Sequence, residues 1–134
     1  MEQRTRSGKR HGFTLIEILT VLSIIGILVS IAVPIYQKSI LRTRESVLRN
    51  NLFTLRTVLD EYTYDKQKAP QDLRDLVQEG YLRAIPVDPM TGNQSWKTEI
   101  EDALHSVNQN EPGIFEVHSS SDKKSLEGTP YSEW

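Results

Sequence analysis

A chain of 134 residues holds one small domain plus whatever its first segment does, and 37% hydrophobic and 25% charged residues is the composition of an ordinary soluble domain. No cysteine is present, which excludes disulfides, thiolate nucleophiles and zinc sites built on sulfur, and His11, His105 and His118 share no metal-ligand spacing. The formal net charge of −2 hides a segregation. Residues 1–12 hold Arg4, Arg6, Lys9 and Arg10 against Glu2, and residues 36–56 hold Lys38, Arg42, Arg44, Arg49 and Arg56 against Glu45. Beyond Arg56, 7 basic residues face 15 acidic ones. An acidic body on a basic stem attracts copies of itself, weakly across a salt-screened gap.

From Phe13 to Ile35 run 23 residues among which Glu17 alone is charged. A helix of that length rises about 35 Å, enough for a bilayer core of roughly 30 Å. A buried core helix is the competing reading, but a chain this short offers too little apolar surface to wrap one on all sides. The run is too long for a removable secretion signal, and "VPIYQKSILRTRES" after it contains no A-x-A-like cut site. The small residue in a suitable setting lies before the run, at Gly12. A cut there discards the basic leader and keeps the oily helix. Orientation is not set by counting charges, because Lys38, Arg42 and Arg44 balance the leader.

"KRHG" followed by "FTLIEILTVLSIIGILVSIAVP" resembles the prepilin signature of type IV pilins and type II secretion pseudopilins. The resemblance implies cleavage between Gly12 and Phe13 by a prepilin peptidase at the cytoplasmic face, then N-methylation of Phe13. It also implies a single-pass protein of the bacterial inner membrane, with its C-terminal body in the periplasm. The domains expected are therefore a removed leader (1–12), a transmembrane or filament-core helix (13–35) and a periplasmic body (36–134).

A lone ionised carboxylate at bilayer depth costs about 2.5–3.5 kcal/mol on insertion scales. Glu17 could escape that cost near the interface, protonated or reaching headgroups. Processing offers another escape, since cleavage creates an ammonium on Phe13, one helical turn away. The resemblance implies that in a filament Glu17 faces the Phe13 amine of a neighbour, where low dielectric strengthens the attraction. Gly26 and Pro34 interrupt the apolar helix, and the proline predicts a kink or local unwinding between Ser30 and Pro34.

Past Pro34 the pattern turns amphipathic. Leu41, Leu48, Leu52, Leu55, Leu59 and Tyr62 form one apolar stripe, with Arg42, Arg49, Arg56 and Asp60 off it and Glu45 and Arg49 spaced as an i,i+4 pair. One long helix from Phe13 to about Asp65 is expected. Its arginines read as a solvated or subunit-facing surface; no aromatic residues interleave with them, so nucleic acid is not an expected partner.

"KQKAP" ends the helix. A short helix follows with Leu73, Leu76 and Val77 inward and Gly80 as its left-handed cap, then an extended segment with turns at Asp88-Pro89 and Gly92. Strands are expected near Gln94–Ile100 and Gly113–His118, with Phe115 and Val117 alternating against polar neighbours. Residues 101–112 read as a loop with one helical turn. The predicted fold class is α+β, type IV pilin-like: a long N-terminal helix on a small antiparallel sheet.

"YDKQKAPQDLRDLVQEGYLRAIPVDPMTGNQSW" and the final "GTPYSEW" resemble the major (G-type) pseudopilins of type II secretion. That family resemblance implies an acidic C-terminal loop that binds calcium. Here "HSSSDKKSLEGTPYSEW" supplies Asp122 and Glu127 as the metal candidates, with Ser119, Ser121 and Glu133 nearby, but Lys123 and Lys124 adjoin Asp122 and disfavour a divalent cation. The alternative is a loop held by its own hydrogen bonds and by Trp134. No catalytic set or phosphate loop is legible, and His105 and His118 read as surface residues, so the expectation is a non-enzymatic building block. It would polymerise into a helical homo-oligomer with other pseudopilins and the inner-membrane secretion platform as partners, moving folded proteins across the outer membrane. A type IV pilus subunit for adhesion, motility or DNA uptake is the alternative, and a merely membrane-anchored periplasmic domain the least favoured.

Overall fold

The computed structural model describes residues 12–102, 104–108 and 110–134. Their elements are helix α1 (Leu15–Lys66), helix α2 (Leu73–Gln78), strands β1 (Trp96–Ile100) and β2 (Ile114–Ser119), and a final 3-10 turn, Tyr131–Glu133. This is the α+β arrangement that the sequence predicts. By internal contacts the chain divides after Lys38, and α1 contributes to both units.

In the first unit the described residues are all exposed. The helix is long and apolar enough here to cross a membrane. Its serine and threonine hydroxyls are satisfied within the helix: Thr20 donates to the Ile16 carbonyl at 2.8 Å, Ser23 to Leu19 at 2.7 Å and Ser30 to Ile27 at 2.7 Å. Such back-bonding leaves those groups in need of no water, as a lipid environment demands. The unwinding expected between Ser30 and Pro34 is absent. The helix runs unbroken through Pro34, because the proline deletes one bond while the ladder continues on both sides of it.

The second unit, Ser39–Trp134, contains the core. Leu48, Leu52, Leu55, Leu59 and Tyr62 are buried as the stripe predicts, and Val58 joins them; Leu41 is half-buried at the stripe's edge. They cluster with Leu73 and Leu76 of α2, Trp96 of β1, Ile114 and Val117 of β2, and Tyr131. Each such side chain contributes roughly 1.5–3 kcal/mol through burial. Val77 is only half-buried, a minor departure from expectation.

Helix α2 forms where its ends are satisfied. The Asp72 carboxylate accepts the Arg74 amide at 2.9 Å, and the Asp75 carboxylate accepts the Asp72 amide at 3.0 Å, a reciprocal capping box. Gly80 then leaves the helix at φ 82°, as predicted for that position. The Asp88-Pro89 turn is fixed by a fully buried Asp88, whose carboxylate accepts the Met90 amide at 2.7 Å and the Ser119 hydroxyl at 2.6 Å. Gly113 brings β2 against residues 69–70, where a Cβ would lie 2.5 Å from the Ala69 carbonyl oxygen.

The strands pair antiparallel from Trp96↔Ser119 to Glu99↔Glu116, after which Ile100 pairs with Ile114. Phe115 is the extra residue at this bulge and points outward, 47% exposed, while Ile114 takes the inward place. The expected alternation of Phe115 with Val117 is thus corrected by one residue: the bulge reverses the face presented before it. Between the strands, where one helical turn is expected, His105 and Ser106 donate amides to the Asp102 carbonyl at 2.8 and 3.0 Å, and Glu111 donates to the Asn108 carbonyl at 3.1 Å.

Candidate processing and assembly site

The described part of the predicted processing site begins at Gly12; the leader residues 1–11 lie outside the described residues. Gly12, Phe13 and Thr14 precede α1, and Phe13 is 79% exposed. Thr14 is the residue that sequence reasoning missed. Its Oγ1 accepts the Glu17 amide at 3.2 Å, and the Ile18 amide reaches the Thr14 carbonyl at 3.3 Å, so Thr14 starts the helix. Glu17 consequently sits in the first turn. A carboxylate there is favoured by the free amides of the helix end, by about 0.3–1 kcal/mol. The signal was present as T-x-x-E, the spacing of a capping box.

A Cβ at Gly12 would meet nothing within 4 Å. Packing among the described residues therefore places no demand for glycine at that position. The site contributes an accessible bond, an exposed aromatic residue and a carboxylate in the first helical turn.

The other predicted site does not assemble. Asp122 and Glu127 are both exposed, and the Glu127 carboxylate is engaged by Arg49, whose Nη2 donates to it at 3.2 Å. Ser119 spends its hydroxyl on Asp88, and Ser125 pairs with the Thr129 hydroxyl at 3.0 Å. Among the described residues no group of three or more histidine or acidic side chains is arranged to hold a metal ion. Calcium wants six to eight oxygens, several anionic, and this donor set does not fit it.

Two further expectations are corrected by the same region. Glu45 does not pair with Arg49. It is 7% exposed, and its Oε1 accepts the Leu126 amide at 2.7 Å and the Tyr131 hydroxyl at 2.8 Å. Burial and the Glu45 carboxylate push the Tyr131 hydroxyl up to about 12. His118, expected at the surface, is half-buried: its side chain is 16% exposed, and Nδ1 lies 2.6 Å from the Trp134 main-chain oxygen. Arg56 also serves that oxygen at 2.9 Å, besides the Val117 carbonyl at 3.0 Å and the Glu116 carboxylate. Trp134 packs edge-on against Tyr131, under the Arg49 guanidinium.

Residues 7–33 match the family model described as the prokaryotic N-terminal methylation motif. A type II secretion system core protein G from Klebsiella michiganensis is 31% identical, over 66% of this chain and 73% of its own length. The protein of the same name from Pseudomonas aeruginosa is 32% identical, over 66% of this chain and 71% of its own. A type IV major fimbrial protein FimA from Dichelobacter nodosus is 42% identical, but over 46% of this chain and 39% of its own. No solved structure gives a significant match. Likeness of this extent reaches well beyond the methylation motif into the body, and the chain belongs to the family of the type II secretion system core protein G.

Proposed function

We propose that this chain is the structural subunit of a type II secretion pseudopilus, and that its work is polymerisation rather than catalysis. The observation that carries the reading is the extent of the likeness: core protein G relatives match over about two-thirds of this chain, the fimbrial protein over less than half. In this reading a prepilin peptidase cuts after Gly12 and Phe13 is N-methylated, as the match of residues 7–33 to a methylation motif supports. The apolar part of α1 anchors the product in the inner membrane with Ser39–Trp134 in the periplasm. Assembly proceeds with other pseudopilins on the inner-membrane platform, and the growing filament moves folded proteins outward.

The chemistry of assembly follows from Phe13 and Glu17. Cleavage leaves an ammonium at Phe13 and a carboxylate in the first turn of the same helix. An opposite pair at about 4 Å is worth about 4 kcal/mol at an effective dielectric of 20. Removing one partner from a buried pair leaves an uncompensated charge at a cost of about 3–5 kcal/mol. Pairing across neighbours therefore favours the polymer over the dispersed subunit.

A gene deletion tests the reading. Exoproteins retained in the periplasm, restored by the wild-type chain and not by Gly12→Trp, are the expected outcome. Normal secretion together with lost twitching or transformation would assign the chain to a type IV pilus instead.

A further inference from the structure

The last stretch of the chain is where a divalent cation would be expected, and where the donor set does not fit one. What holds it is a set of contacts to helix α1. Residues 121–134 fold back on themselves: Ser125 donates its amide to Thr129 at 2.8 Å, Tyr131 donates to Lys123 at 3.0 Å, and Lys124 bridges to Pro130. This hairpin-like loop then meets α1 at two heights. Near Arg56, the guanidinium and His118 share the Trp134 oxygen. Near Glu45, one buried carboxylate oxygen takes both the Leu126 amide and the Tyr131 hydroxyl.

That second contact answers the same physical need as a bound cation, with the sign of the charge reversed. A cation gathers loop oxygens around a positive centre. Here a carboxylate gathers loop donors around a negative centre. The two donors lie five residues apart on opposite arms of the loop, so one acceptor ties both arms to the stem. Nearby Glu127, which a metal would need, is instead drawn to Arg49. The charged groups facing the loop from α1 are thus Arg42, Glu45, Arg49 and Arg56, with Glu116 and His118 from β2.

We propose that Glu45 is the positioning residue of a metal-free clasp, which closes the segment 121–134 onto α1 without any divalent cation. The segment is held by the acceptor oxygen of Glu45 and stays closed when calcium is removed. This goes beyond the assignment to a secretion pseudopilus and does not depend on it, since it concerns the fold of one subunit.

The full processed chain in detergent micelles tests this, with trypsin cleavage after Lys123 and Lys124 reporting opening of the loop. The wild-type chain should show the same melting temperature and cleavage rate in chelator, millimolar calcium and millimolar magnesium. Glu45→Ala should speed cleavage about tenfold or more, because it strands a buried amide and hydroxyl, and calcium should not slow it again. Glu45→Gln keeps an oxygen in the same place and should stay close to wild type. Tyr131→Phe keeps the ring in the core, removes one of the two bonds and should loosen the loop to an intermediate degree, a readout that survives if Glu45→Ala fails to fold. A rise in melting temperature with calcium and not with magnesium would overturn the proposal. So would wild-type cleavage of both Glu45→Ala and Tyr131→Phe.

Discussion

Glu17 lies exposed in the first turn of α1, and Glu45 lies buried further along the same helix. Glu45 has its two donors inside the chain. Glu17 has no such donors among the described residues, and in the proposed function its counter-charge is the Phe13 ammonium that cleavage would create. Glu17→Ala should still be processed and inserted but should assemble poorly, with filament yield after shearing reduced about tenfold or more; wild-type yield would count against the pairing. Gly12→Trp should leave the unprocessed precursor as the only band on a gel, while the fold tolerates it, since a Cβ there meets no described atom within 4 Å. At Tyr131 the consequence is a pH dependence. Its hydroxyl titrates near 10 when unfolded and is pushed up to about 12 when folded. As pH rises past about 10 the unfolded state loses its proton first, so stability present below that pH falls until about 12. Tyr81 is raised too, by desolvation and by Asp65, and acts in the same direction. Denaturant midpoints measured across this range should drop, and drop less in Tyr131→Phe; a flat profile would contradict the buried bond.

At the scale of elements, α1 and the core stripe were legible because apolar periodicity over many turns reports a buried face directly. Leu55→Ala should cost about 2–5 kcal/mol, read as a lower denaturant midpoint, because its site is fully enclosed. Gly113→Ala should destabilise as well, since its Cβ would collide with carbonyl oxygens of a main chain that cannot swing aside. The position of Glu45 was concealed by the same stripe that revealed its neighbours. The interval of seven from Leu41 to Leu48 hides a member of the face at the fourth step, and that member is a carboxylate. Pattern reading takes a charged residue for a solvent-facing one, and only the arrival of Leu126 and Tyr131, more than eighty residues later, makes burial tolerable. The bulge at Phe115 was illegible for a related reason. One inserted residue reverses a strand's faces, and nothing local marks where the insertion falls.

For the whole molecule, charge, anchor and likeness point to one behaviour. The basic stretch 36–56 and the acidic stretch 57–134 allow copies to attract one another, at a range that salt shortens. The N-terminal methylation motif was legible because it is a run of contiguous residues. The engagement of Glu127 by Arg49 was not legible, because it depends on which side chains α1 presents to the loop. The central claim is that the chain is trimmed before Phe13 and enters the filament with a new N-terminus. It is tested most directly by the mass of the N-terminal peptide from sheared filaments. A peptide that begins at Phe13 and carries one extra methyl group is predicted; a peptide retaining any of residues 1–12 would contradict the account.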